Sequence, residues 1–135
     1  MSSVVNILGT DYNIDTTTHI DLSSKTFPES ISLLTNLRVL NLHGNKINDI
    51  PNFIWSLTNL QNLNLSANQI KHIPNGISSL TNLKRLYLYY NQITSVSDSI
   101  LSLTNLQHLD LSYNQITKHS RFYFIIDQST KPLFK

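Results

Sequence analysis

The chain has 135 residues, a net charge of +2 and only 13% charged residues, a size that suits one domain and a charge balance that argues against a polybasic nucleic-acid or membrane-surface protein. It contains no cysteine, so disulfide scaffolds, thiolate metal sites and cysteine nucleophiles are excluded together. At 40% hydrophobic residues it can build a core, yet Leu, Ile, Asn and Ser alone supply 69 residues, a bias that a repeat explains.

The first residues, Met1-Ser2-Ser3-Val4-Val5-Asn6-Ile7-Leu8-Gly9, carry no basic segment, and Asn6 breaks their apolar run before it reaches signal-peptide length. No apolar stretch approaches the roughly 20 residues of a spanning helix. The sequon Asn64-Leu65-Ser66 is expected to go unused. These features predict a soluble, cytoplasmic protein without membrane association. Residues 1–17 are expected to form a partial N-terminal cap, mainly through 4–14.

Residues 18–33 hold a shortened copy of a unit that fills most of the remaining chain. The full unit begins at Leu34, where Leu-Thr-Asn-Leu occupies 34–37, and the tetrapeptide returns at 57–60, 80–83 and 103–106, each 23 residues after the last. Numbering the unit from Leu34, position 7 holds Leu40, Leu63, Leu86 and Leu109, and position 9 holds Leu42, Leu65, Leu88 and Leu111. Position 12 is Asn45, Asn68, Asn91 and Asn114; position 14 is Ile47, Ile70, Ile93 and Ile116. Position 17 reads Ile50, Ile73 and Val96 but then His119. The repeats are therefore 34–56, 57–79, 80–102 and 103–125. In the shortened copy, Ile20-Asp21-Leu22-Ser23-Ser24 matches positions 7 to 11, while Phe27-Pro28 and Ile31 match positions 17, 18 and 21. It lacks three residues, the position-12 Asn among them, as an atypical terminal repeat can.

Alternation at positions 6 to 10 predicts a half-buried strand with leucines inward and positions 6, 8 and 10 outward. The position-12 asparagines, at the turn off each strand, can satisfy backbone groups with both donors and acceptors, which predicts a structural ladder of Asn45, Asn68, Asn91 and Asn114. Pro51 and Pro74 then break the chain before a short helical or irregular return arc. The Thr-Asn pairs at positions 2 and 3 read as solvent-facing turn residues and nothing more.

Beyond Ile116 the pattern dissolves into Lys118-His119-Ser120-Arg121, an aromatic run at 122–126, and Lys131-Pro132-Leu133-Phe134-Lys135. Residues 118–135 are either a cap or an eroded repeat and tail. A cap is the expectation, because an open end would leave leucines exposed.

The pattern Leu-x-x-Leu-x-Leu-x-x-Asn-x-Ile-x-x-Ile-Pro-x-x-Ile-x-x-Leu resembles the leucine-rich repeat family, over residues 18–126. More narrowly it is similar to the 23-residue intracellular subclass of Ras-suppressor-like proteins. The resemblance implies an α/β solenoid, a curved arc with a parallel β-sheet on the concave face and short helical or irregular convex segments. It further implies a non-catalytic protein that binds other macromolecules.

Catalytic constellations fail on their own terms. The three glycines are scattered, the only glutamate is Glu29, and the histidines have no metal-ligand spacing. His19 and His108 share position 6 but lie roughly 19 Å apart across the sheet, and His43 is roughly 13 Å along the strand from the His19 column. Ser112, His108 and Asp110 could be named as a triad, but alternate strand residues stand about 6.6 Å apart and nothing supplies an oxyanion hole. No catalytic residue, metal or cofactor is expected.

The outward positions form a grid. Position 6 reads His19, Val39, Asn62, Arg85, His108; position 8 reads Asp21, Asn41, Asn64, Tyr87, Asp110. Position 10 reads Ser23, His43, Ser66, Tyr89, Ser112, and position 11 on the rim reads Ser24, Gly44, Ala67, Tyr90, Tyr113. One half is amide-rich and bland. The other gathers Arg85, Tyr87, Tyr89, Tyr90, His108, Asp110 and Tyr113, with an Arg85–Asp110 ion pair expected from their diagonal placement. Tyr and Arg are the residues enriched at binding hot spots, although tyrosines also favour strands for packing reasons alone. The reading that follows is a monomeric protein-binding module acting through its concave face, on a partner that is a protein and not a nucleic acid. Two alternatives stand beside it: a structural or decaying repeat protein without a dedicated partner, and a regulatory subunit of a phosphatase, ligase or small-GTPase pathway.

Overall fold

The structure, a computed structural model, describes residues 3–117. The cap expected of 118–135, and His119 with it, lie outside the described residues. Val4–Ile7 (β1) and Thr10–Asn13 (β2) pair as an antiparallel hairpin. Its two-residue turn, Leu8 and Gly9, has φ of +52° and +85°, the left-handed pair that matches the twist of the flanking strands. The Asn6 side chain accepts from the Gly9 N–H at 3.1 Å, and Val5 and Ile7 bury inward.

Five parallel strands follow in sequence order: His19–Asp21 (β3), Val39–Asn41 (β4), Asn62–Asn64 (β5), Arg85–Tyr87 (β6) and His108–Asp110 (β7). Each pairs with its equivalent one repeat on, so that Leu40 lies beside Leu63, and Leu63 beside Leu86. The regular strands cover only positions 6 to 8. The ladder nevertheless continues: position 9 donates to position 8 of the next repeat (Leu42 N to Asn64 O, 2.8 Å) and position 11 donates to position 10 (Ala67 N to Tyr89 O, 2.9 Å). Position 11 bends the chain off the sheet with φ between +52° and +69° in all five copies, at Ser24, Gly44, Ala67, Tyr90 and Tyr113.

The return arcs are 3-10 helices of five residues, Glu29–Leu33, Asn52–Ser56, Asn75–Ser79 and Asp98–Ser102. Pro28, Pro51 and Pro74 open the first three in extended geometry, and the following Leu closes each by donating to the Ile at position 21. The fourth opens at Ser97, whose side chain accepts from the Ser99 N–H. The larger rise of the 3-10 form, about 2.0 Å per residue, lets five residues cross the convex side with one buried Ile each. A single core runs the length of the arc, with the inward Leu and Ile columns almost fully removed from water. On the convex side Phe27 and Phe53 meet edge to face at 6.1 Å. Trp55 lies so close over Gly76 that a Cβ there would sit 2.4 Å from its ring. The result is the curved solenoid that the family resemblance implies.

Candidate functional site

The concave surface is built on the amides beneath it. Asn68 is buried at 8% exposure; its Oδ1 accepts from the N–H groups of Asn45 and Ile47, and its Nδ2 donates to the carbonyls of Leu42 and Leu65. Asn91 takes the Ile70 N–H and donates to Leu65 and Leu88; Asn114 takes the Ile93 N–H and donates to Leu88 and Leu111. Asn45, in the first full repeat, donates to Leu22 O. Each amide thereby joins two repeats, and it does so at the turn carrying position 11.

A second set of amide bonds runs along the opposite edge, where the sequence suggested only turn residues. Asn36 donates to Asp15 O, Asn59 to Thr35 O, Asn82 to Thr58 O and Asn105 to Thr81 O, all at 2.8–2.9 Å. Position 3 is therefore an inter-repeat tie, although it is exposed. The invariant spacing of those asparagines was the available signal; their solvent-facing position masked it.

Position 8 has a local duty as well. Asp21, Asn41, Asn64 and Asp110 each accept, through Oδ1, the backbone N–H two residues on, at 2.9–3.1 Å. These Asx turns fix the exit from the strand. At Asp21 the Ser23 backbone bond, with help from the Ser23 hydroxyl, Asn41 and Lys25, holds the carboxyl below its ordinary range against the opposing effect of burial. Tyr87 is the exception: it cannot make the turn, and repeat 80–102 does without it.

The tyrosines come together as follows. The ring of Tyr87 lies 5.1 Å from that of His108, tilted by 47°. Tyr89 meets Tyr90 edge to face at 5.8 Å, and Tyr90 stacks on Tyr113 at 4.3 Å with planes 8° apart. Tyr90 and Tyr113 remain 54% and 69% exposed. Arg85 is exposed beside His108 in the β6–β7 register. The expected Arg85–Asp110 pair is not formed; Asp110 Oδ1 is engaged by the N–H and hydroxyl of Ser112 at 3.0 and 2.6 Å. The bonds that finish the Asx turn outcompete a long exposed guanidinium whose immobilisation is entropically unfavourable.

Position 10 also departs from the outward reading. Ser66 is fully buried, because His43 and Tyr89, its neighbours on either side, lean together over it with ring centroids 6.2 Å apart. His43, on the half that looked bland, is thus continuous with the tyrosine cluster. Next to it a groove of about 190 Å³ is lined by Val39, Leu40, Asn41, Asn62, Asn64 and Tyr87. Among the described residues no group of three or more His, Asp or Glu could hold a metal ion, and no helix is long and apolar enough to cross a membrane.

A five-stranded parallel sheet on 23-residue turns, pinned by asparagine, defines a repeat solenoid with an open concave face. The family model for the leucine-rich repeat region matches residues 16–124; the chain belongs to the leucine-rich repeat proteins and is a protein-interaction repeat domain. Similar solved structures include a leucine-rich repeat protein of Leptospira interrogans (38% identity, TM-score 0.68, over 73% of this chain and 25% of that one). An internalin of Listeria monocytogenes matches at 34% identity and TM-score 0.62 (75% and 30%). The plant peptide hormone receptor RGFR1, in complex with RGF2, matches at 36% and 0.64 (72% and 17%). The chain spans less than a third of the length of each. No curated protein matches it.

Proposed function

We propose that this repeat domain binds a polypeptide partner through the tyrosine-rich half of its concave face, with Arg85, Tyr87, Tyr89, Tyr90, His108, Asp110 and Tyr113 as the contact surface. One observation carries the reading: the array sets aside its own structural preferences at these positions. Tyr87 replaces an Asx residue that forms a backbone-capping bond in the other four copies. Tyr90 and Tyr113 hold the left-handed backbone that Ser24, Gly44 and Ala67 hold in earlier copies, at a cost of roughly 1–2 kcal/mol that falls on any residue with a Cβ. Lost capping, side by side with two exposed stacked rings, favours a surface kept for contact over one selected for stability. The similar receptor in complex with RGF2 supports a polypeptide as the ligand class, and the strict 23-residue period supports the Ras-suppressor-like subclass.

The test is affinity capture with the full chain, followed by titration of the captured partner. Tyr87→Ser and Tyr89→Ser are each expected to weaken binding by about 2 kcal/mol, roughly 30-fold. Lys71→Ala and His72→Ala, exposed after the turn, are expected to leave it unchanged. A partner indifferent to loss of Arg85, Tyr87 and Tyr89 together would place the contact surface on the convex arcs or an end.

A further inference from the structure

The hydrogen-bond directions around Ser66 determine which tautomer the neutral His43 ring takes. Ser66 N–H points at Asn64 Oδ1 from 3.0 Å, and since a backbone N–H only donates, the Asn64 atom facing it is oxygen. The same position holds Asp21 and Asp110 in other copies, where the acceptor can be nothing else. Ser66 Oγ also lies within hydrogen-bond distance of that Asn64 oxygen, so its one proton is committed there, as the Ser112 hydroxyl's is to Asp110. Ser66 Oγ reaches His43 Nδ1 at 2.9 Å. With no proton left to give, the hydroxyl accepts, and Nδ1 carries the hydrogen. A neutral imidazole then keeps its lone pair on Nε2, the reverse of the tautomer favoured in water.

Nε2 has no hydrogen-bond partner among the described residues, and none of their buried side-chain nitrogens or oxygens lacks one, so Nε2 opens to solvent. The ring bonds Ser66 through Nδ1 and lies 6.2 Å from the Tyr89 ring, centroid to centroid. No acid pairs with the imidazole among the described residues.

We infer that His43 is a specificity-determining residue of the concave surface: a preset hydrogen-bond acceptor that reads a donor, a backbone N–H or a hydroxyl, on the polypeptide bound over Tyr89. The inference rests on the proposed tyrosine-face reading for its ligand, and on the Asn64–Ser66–His43 relay for its chemistry. The rest of the patch supplies aromatic area, a guanidinium and phenol groups. His43 adds an acceptor that cannot turn away, because its other nitrogen is held.

Two measurements separate this inference from the reading beneath it. In the ¹⁵N-labelled full chain, with the imidazole neutral, long-range proton–nitrogen correlation is expected to show His43 protonated at Nδ1 and bare at Nε2, while exposed His72 shows the ordinary mixture. Ser66→Ala is expected to return His43 to that mixture. A proton on Nε2 in the unmodified chain, or a tautomer indifferent to Ser66→Ala, overturns the relay whatever binds. The second probe is a peptide enriched from a random-peptide display library by the full chain and lost on Tyr87→Ser with Tyr89→Ser; failure to obtain one counts against the tyrosine face itself. For that peptide, His43→Asn keeps a donor for Ser66 but has nothing at the Nε2 position, and is expected to bind about 10-fold more weakly, a size typical of one lost hydrogen bond. His43→Gln restores an acceptor at that reach and is expected to recover most of the loss. Equal binding by wild type and His43→Asn would remove His43 from recognition and leave the tyrosine face standing.

Discussion

Repeats 57–79 and 80–102 bury the same residues and differ where they face outward. Leu63, Leu65 and Ile70 in the first have their counterparts in Leu86, Leu88 and Ile93, all fully buried. Above that shared core, Asn64 and Ser66 turn their polar atoms onto the chain itself, and Ala67 takes the left-handed turn. The next copy carries Tyr87, Tyr89 and Tyr90 at these places, and their hydroxyls make no hydrogen bond among the described residues. The comparison separates two kinds of demand on one backbone. Inward and turn positions must satisfy groups the fold has removed from water. Outward positions carry no such demand, because water can satisfy them.

The comparison breaks most decisively at the asparagine beneath it. Asn68→Leu strands the N–H groups of Asn45 and Ile47 and the carbonyl of Leu42 and is expected to lower stability by about 3 kcal/mol in chemical denaturation. A midpoint like wild type would mean that water or rearranged backbone replaces the amide. Gly76→Ala comes next: its methyl would collide with the Trp55 ring, with an expected loss of about 2 kcal/mol and a changed tryptophan emission. Trp55→Ala in the same chain should make that second substitution nearly silent; additivity of the two losses would show that the ring does not cause the constraint.

Tyr90→Asn sharpens the comparison from the other side. Asparagine tolerates left-handed backbone, which offsets the lost stacking on Tyr113, so stability should stay within about 1 kcal/mol. A fall of more than about 2 kcal/mol would make Tyr90 part of the framework instead of the surface. The smallest effect concerns the Asx turn that Tyr87 lacks. Asp21 has a carboxyl held below its usual range, so the stability it contributes is present above the ordinary carboxylate range and lost as pH falls through the folded-state value. Asp21 is exposed, so the change is slight. Melting temperatures of wild type and Asp21→Asn should converge at strongly acidic pH, and a gap of constant size would exclude this linkage.

Much of the molecule was legible before any coordinates. A period of 23 residues, with leucines alternating at positions 7 and 9, determines a stacked parallel sheet, because no single turn can bury its own apolar face. The same period placed Arg85, Tyr87, Tyr89 and the residues of the following strand on one surface, since register in a repeat array copies sequence spacing. Proline at position 18 marked where the convex arc begins. What sequence alone did not decide was how polar side chains share protons and space. Asn36, Asn59, Asn82 and Asn105 looked like exposed turn residues, and only the distance between successive turns makes them ties. Arg85 and Asp110 looked like a pair, but the carboxylate is nearer to its own Ser112. His43 looked remote from the tyrosines until the small Ser66 let two larger rings close over it. Periodicity reports which way a side chain leaves the backbone; which neighbour it then meets depends on rotamers, ring size and hydrogen-bond direction, and those are settled only when the repeats stack.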